Sequence, residues 1–97
     1  MINSGQRAKL RSMAQNLNPI FHIGKNGINE NFISDIDTAL EAHELIKISV
    51  LRNSDMSAKE SMEILSQATA AEPVTAIGSK FVIYRRSTRD NVEHIQI

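Results

Sequence analysis

No cysteine occurs among the 97 residues, so no disulfide framework, thiolate metal site or cysteine nucleophile is available, and a reducing compartment suits the chain. Tryptophan is absent too, and three Phe and one Tyr are too few for a platform of stacked bases. Low-complexity stretches and internal repeats are missing, and a 41% hydrophobic, 23% charged composition excludes the disordered, collagen-like and disulfide-rich classes. No apolar run approaches the roughly 18 residues of a membrane span, and the opening stretch lacks the apolar centre of a signal peptide, so a cytoplasmic protein is expected. Phosphate-binding Gly-x-x-x-x-Gly-Lys-Ser/Thr, Gly-x-Ser-x-Gly and His-Glu-x-x-His motifs are all absent. With His22 and His43 reading as structural or surface residues, no catalytic residue, metal site or cofactor is expected, and the chain is not read as an enzyme.

Net charge is also lacking, with eleven basic residues against eleven acidic ones. The charges are segregated, however. Arg7, Lys9, Arg11 and Lys25 precede Asn29 with no acid among them, whereas Glu30, Asp35, Asp37, Glu41 and Glu44 follow with no base. Lys80, Arg85, Arg86 and Arg89 form a late basic cluster. Blocks of this kind give a neutral molecule a positive face, and a partner responds to the local field rather than to the sum.

Hydrophobic spacing gives the elements. Ser4 can cap a first helix bearing Leu10, Met13, Ala14 and Leu17 on one side, which Asn18-Pro19 ends. Residues 20–23 read as a short strand, and Asn29 caps a second helix running to about His43, with Phe32, Ile33, Ile36, Ala39 and Leu40 inward. Residues 45–52 form a strand with Ile46, Ile48 and Val50 on one face and Lys47 and Ser49 on the other. Ser57 and Glu60 have capping-box spacing for a third helix with Met62, Ile64, Leu65 and Ala68 as its stripe, lasting to Glu72-Pro73. Residues 74–77 and 80–86 then make a hairpin through Gly78-Ser79, a type II′ pair in which glycine takes positive φ. The order α-β-α-β-α-β-β implies an α/β fold: a two-layer sandwich with a mixed four-stranded sheet, its crossover helices on one face. One domain spanning 1–97 is expected, with a core of about 4–86 and a polar tail or loosely docked extension at 87–97.

The Gly-x-x-Gly segment Gly24-Lys25-Asn26-Gly27 leaves a strand and opens a helix. Backbone N–H groups and the positive end of the helix dipole then face the loop, Lys25 adds a full charge, and glycines let a nucleic-acid backbone approach closely. Around it, the segment 19–27 (PIFHIGKNG), the later 42–48 (AHELIKI) and the closing hairpin 74–85 resemble the YhbY-type CRM (chloroplast RNA splicing and ribosome maturation) domain, in the family's order and over about 4–86. The resemblance implies a fold like the C-terminal domain of bacterial initiation factor three. It also implies RNA binding, with the contacting loop on Gly24, Lys25, Asn26 and Gly27 and a basic surface on the first helix and neighbouring strand ends.

Arg7 and Arg11, one helical turn apart, and Lys80 and Arg86 near the hairpin complete the candidate RNA-binding set. The expected partner is structured RNA, in particular rRNA of precursors of the large ribosomal subunit, bound by a monomer acting in assembly. Asp37, Glu41 and Glu44 share a helical face read as solvated and turned from RNA. A rival reading makes that face a protein-interaction adaptor.

Overall fold

A computed structural model describes residues 2–97. Helix α1 spans Ser4–Ala14, β1 Phe21–Ile23, α2 Glu30–His43, β2 Leu45–Val50, α3 Ala58–Thr69, β3 Glu72–Ile77 and β4 Lys80–Tyr84. This is the expected order, an α/β fold with a mixed four-stranded sheet. Across the sheet the strands run β1-β2-β4-β3. Strand β1 is parallel to β2, and β4 is inserted antiparallel between β2 and β3. Its sequence Phe81-Val82-Ile83-Tyr84 is buried throughout, as a central strand covered on both faces requires.

Strand alternation sorts the apolar residues into two clusters. Ile46, Ile48, Val50, Phe81 and Ile83 face α2 and α3, meeting Ile36, Leu40 and Leu65. Leu45, Val82, Tyr84 and Val74 face the other way, onto Leu10 and Ala14 of α1. The crossover helices thus share one face, as expected, and α1 adds a partial third layer on the opposite one. At 11 residues it is only about 16 Å long, so it covers one end of that face and leaves the other open.

Several local details differ from the expectations. Asn3, not Ser4, caps α1: its side chain accepts from the Gln6 N–H while Gln6 answers on the Asn3 N–H. The helix stops at Ala14 rather than at Asn18, and Met13 stays substantially exposed. In α3 the buried line is Ala58, Ser61, Leu65 and Thr69, while Ile64 and Ala68 point outward. The Ser61 and Thr69 hydroxyls donate to the carbonyls of Ser57 and Leu65 four residues back, so small polar side chains can occupy the packed stripe. The Ser57–Glu60 capping box forms as its spacing indicates. At the hairpin, Gly78 has φ +60 and Ser79 does not share it, in keeping with type II′.

Segment 87–97 folds back onto the end of α2. Glu44 has no exposed surface and a φ of 65, in the left-handed region unusual for a side-chain-bearing residue. Its Oε2 accepts from the Ser87 N–H at 2.7 Å and lies 2.6 Å from His94 Nδ1, while Oε1 accepts from the Ile95 N–H at 2.7 Å. Burial alone would raise this carboxyl's pKa, but the bonds from His94, Ile95 and Ser87 outweigh it and hold the group below its usual range. Ile95 and Ile97 pack against the α1 cluster.

Candidate functional site

Three connections meet at one end of the sheet. Strand β1 pairs with β2 through Phe21↔Ile48, His22↔Ser49 and Ile23↔Val50, and the Leu51 N–H donates to the Ile23 carbonyl at 2.8 Å. This fixes where the chain leaves β1. Phe21 meets Phe32 of α2 edge to face, with centroids 5.7 Å apart, and Ile28 and Ile33 both pack on the core, so the start of α2 is clamped against β1. Between these anchors lies the Gly24–Gly27 loop. Beside it are the turn at Leu51–Ser54 and the hairpin tip, where Ser79 accepts from the Val50 N–H at 2.7 Å.

The loop is a closed β-turn, the Gly27 N–H donating to the Gly24 carbonyl at 3.1 Å. Lys25 and Asn26 at its corners are exposed and keep negative φ, as in a type I turn, and Gly27 then adopts φ +66. Only Gly27 needs glycine for its backbone. At Gly24 a Cβ would sit in near-ordinary contact, 3.4 Å from Asn53 Oδ1 and 3.7 Å from Leu51 Cδ1, beside an open cleft that Gly24 and Asn53 both line. The cleft is lined by His22, the loop itself, Asn29, Asn31, the half-buried Phe32, Asp35 and Asn53. Asn29 caps α2 by accepting from the Phe32 N–H at 2.8 Å. The N–H groups of Lys25, Asn26, Glu30 and Asn31 have no protein acceptor among the described residues. Donors, a mobile ammonium and amide side chains therefore converge on one concavity suited to an oxyanion, opposed by the single carboxylate of Asp35.

The other candidates fall in different places. Arg11 and Lys80 meet across a second groove, on the open part of the α1 face, together with Lys47, Thr75 and Ile77. Lys47 was not among the expected contacts. Alternation puts it on the Lys80 face, but only the insertion of β4 beside β2 brings the two together. Arg7 turns aside, its Nε donating to the Pro73 carbonyl at 3.1 Å. Arg86 is exposed beyond Tyr84, which pairs with Leu45 at the end of the sheet away from the loop. Asn53 and Asp35 also escaped the sequence reading, because nothing local marks a loop neighbour that only folding supplies.

The acidic face is paired within the molecule, although the Asp37 side chain stays 47% exposed. Arg85 Nη1 donates to Asp37 Oδ1 at 2.7 Å and to the Thr69 carbonyl at 2.6 Å, and Nη2 reaches the Asp37 carbonyl at 3.2 Å and Glu41 Oε2 at 3.4 Å. Glu41 also accepts from the Thr88 hydroxyl and N–H; the hydroxyl bond is the main cause of its lowered pKa, and partial desolvation opposes it. With Glu44 buried, all three carboxylates are used within the molecule. The expectation of a solvated face is corrected at Glu44, which is buried, and at Glu41, which is mostly covered, while Asp37 keeps an exposed side chain. Phe81 and Tyr84 are buried and Phe21 and Phe32 half-buried, so of these rings only Phe32 lines the cleft beside the loop.

Comparison with known proteins agrees with this architecture. The chain is 42% identical over 87 residues to "Probable RNA-binding protein YqeI" of Bacillus subtilis, covering 90% of this chain and 91% of that one. It is 30% identical over 92 residues to a Haemophilus influenzae protein named "RNA-binding protein", covering 95% and 93%. The solution structure of SAV1595 from Staphylococcus aureus, a hypothetical protein for which RNA binding was suggested, superposes with a TM-score of 0.77 at 50% identity, covering 98% of this chain and 100% of that one. The CRS1 / YhbY (CRM) domain model matches residues 2–85, and the chain belongs to that family.

Proposed function

We propose that this chain is a single-domain RNA-binding protein and not an enzyme, and that it holds the backbone of structured RNA at the Gly24–Gly27 loop. The carrying observation is the loop's construction. A closed turn exposes Lys25, Asn26 and unbonded N–H groups at the edge of an open cleft, in a chain whose relatives are named for RNA binding. Gly24 and Gly27 shape the contact, while Lys25 and Asn26 supply charge and hydrogen bonds. Arg11 and Lys80 extend the positive surface, and Arg7 and Arg86 are peripheral to it. With the half-buried Phe32 as the only Phe or Tyr ring at the cleft and no aromatic platform, recognition rests on phosphates and RNA shape rather than on splayed bases.

The target in this reading is rRNA of large-subunit precursors, bound in the cytoplasm by a monomeric assembly factor. Fractionating a lysate on a low-salt sucrose gradient, with the wild-type chain beside a Lys25→Glu variant, tests it. Co-migration with large-subunit precursors, lost in the variant, is the expected result. Absence of the wild-type protein from ribosomal fractions, even when assembly is slowed, overturns the ribosomal role.

A further inference from the structure

The open part of the α1 face carries an unusual charge pattern for a neutral protein. Strand pairing sets His22, Ser49, Lys80 and Ile77 in one row across all four strands, and Lys47, Val82 and Thr75 in the next. Lys47 and Lys80 are diagonal neighbours on adjacent central strands, and Arg11 from the last turn of α1 lines the same groove. None of the three has a carboxylate partner among the described residues, and no acidic residue lines the groove. An ordinary solvated face mixes signs, and like charges set close together on a sheet destabilise it. Eleven acids were available, and none is placed here. Ile77, 71% exposed, sits beside Lys80 and offers an apolar contact between the charges.

His22, which lines the loop cleft, begins the row that leads through Ser49 to Lys80 of this groove. At about 4.8 Å per strand, Lys80 lies roughly 10 Å across the sheet from β1. We propose that Lys47, Lys80 and Arg11 hold a second segment of RNA phosphate backbone, so that one RNA crosses the sheet from the Gly24–Gly27 loop to the end of α1. The proposal rests on the RNA reading of the loop and adds to it Lys47, a direction across the sheet and a second point of attachment. RNA fits better than an acidic protein because the charges lie on the sheet face reached by the row that starts at the phosphate-suited cleft.

Fluorescence anisotropy with a labelled, fully paired RNA hairpin, titrated over a salt series, tests this. Each phosphate contact contributes about 0.9 to the slope of log affinity against log salt. Lys47→Gln/Lys80→Gln should therefore flatten the slope by about 1.8, so that the affinity lost between roughly 50 and 200 mM salt shrinks about tenfold. Lys47→Arg/Lys80→Arg should restore it, and unchanged urea midpoints exclude misfolding. If Lys25→Gln weakens binding while the double Gln variant keeps wild-type affinity and slope, this proposal is overturned and the loop reading stands. If the double variant flattens the slope and Lys25→Gln does nothing, the groove binds RNA and the loop reading fails. Displacement of the RNA by polyglutamate as readily as by unlabelled hairpin overturns the assignment to RNA.

Discussion

Glu44→Gln is nearly isosteric, yet it should be among the most damaging single changes in the chain. In the native protein both carboxylate oxygens only accept, from the N–H groups of Ser87 and Ile95 and from the His94 ring. An amide turns one oxygen into a donor that faces a donor, leaving one buried N–H unsatisfied at about 1–3 kcal/mol and removing the charge from the remaining bonds. A loss of about 2–4 kcal/mol follows, a large share of the 5–15 kcal/mol typical of such domains, and it corresponds to a fall in Tm of roughly 10–25 °C. Urea denaturation followed by circular dichroism reads it. The pH dependence has a definite sign. Because the folded pKa of Glu44 is depressed, its contribution is fully present above the unfolded value of about 4.3 and disappears as pH falls through the folded pKa. Wild type and variant should therefore differ at pH 7 and converge in acid. A variant within about 0.5 kcal/mol of wild type at pH 7 would refute the account of Glu44 as the anchor of segment 87–97.

The two loop glycines should separate. Gly27→Ala must hold φ +66 and should cost about 1–2 kcal/mol of stability by denaturant titration, whereas Gly24→Ala meets near-ordinary contacts and should leave stability close to wild type while weakening RNA binding in a filter assay. Removing the carboxylate that opposes the loop, by Asp35→Asn, should raise RNA affinity at low salt, an effect fading as salt is added. Arg85→Met should lower the urea midpoint, since it abandons the Asp37 and Thr69 acceptors, yet leave RNA affinity unchanged, which distinguishes a structural arginine from a contact residue.

Periodicity and caps made most of the fold readable. Asn29 and Ser57 cap where their side chains can reach an N–H three residues on, and β-branched alternation marked β2. Non-local choices were not readable. Nothing in the hairpin says that β4 rather than β3 joins β2, yet that choice brings Lys47 beside Lys80. The acidic run looked like surface because charges usually are, and only the returning chain shows that Glu44 is buried under His94 and Ile95. The Gly24–Gly27 motif was legible as a loop before a helix, but Asn53 and Asp35 come from sequence positions with no mark of their own.

Titrating the isotopically labelled protein with an rRNA hairpin at low salt, and following backbone amide shifts by NMR, puts the central claim to the most direct test. The account predicts the largest shifts at Gly24, Lys25, Asn26 and Gly27, with small ones along Glu41, Glu44 and His94. Shifts confined to α2 and the returning segment, with the loop amides unmoved, would contradict it.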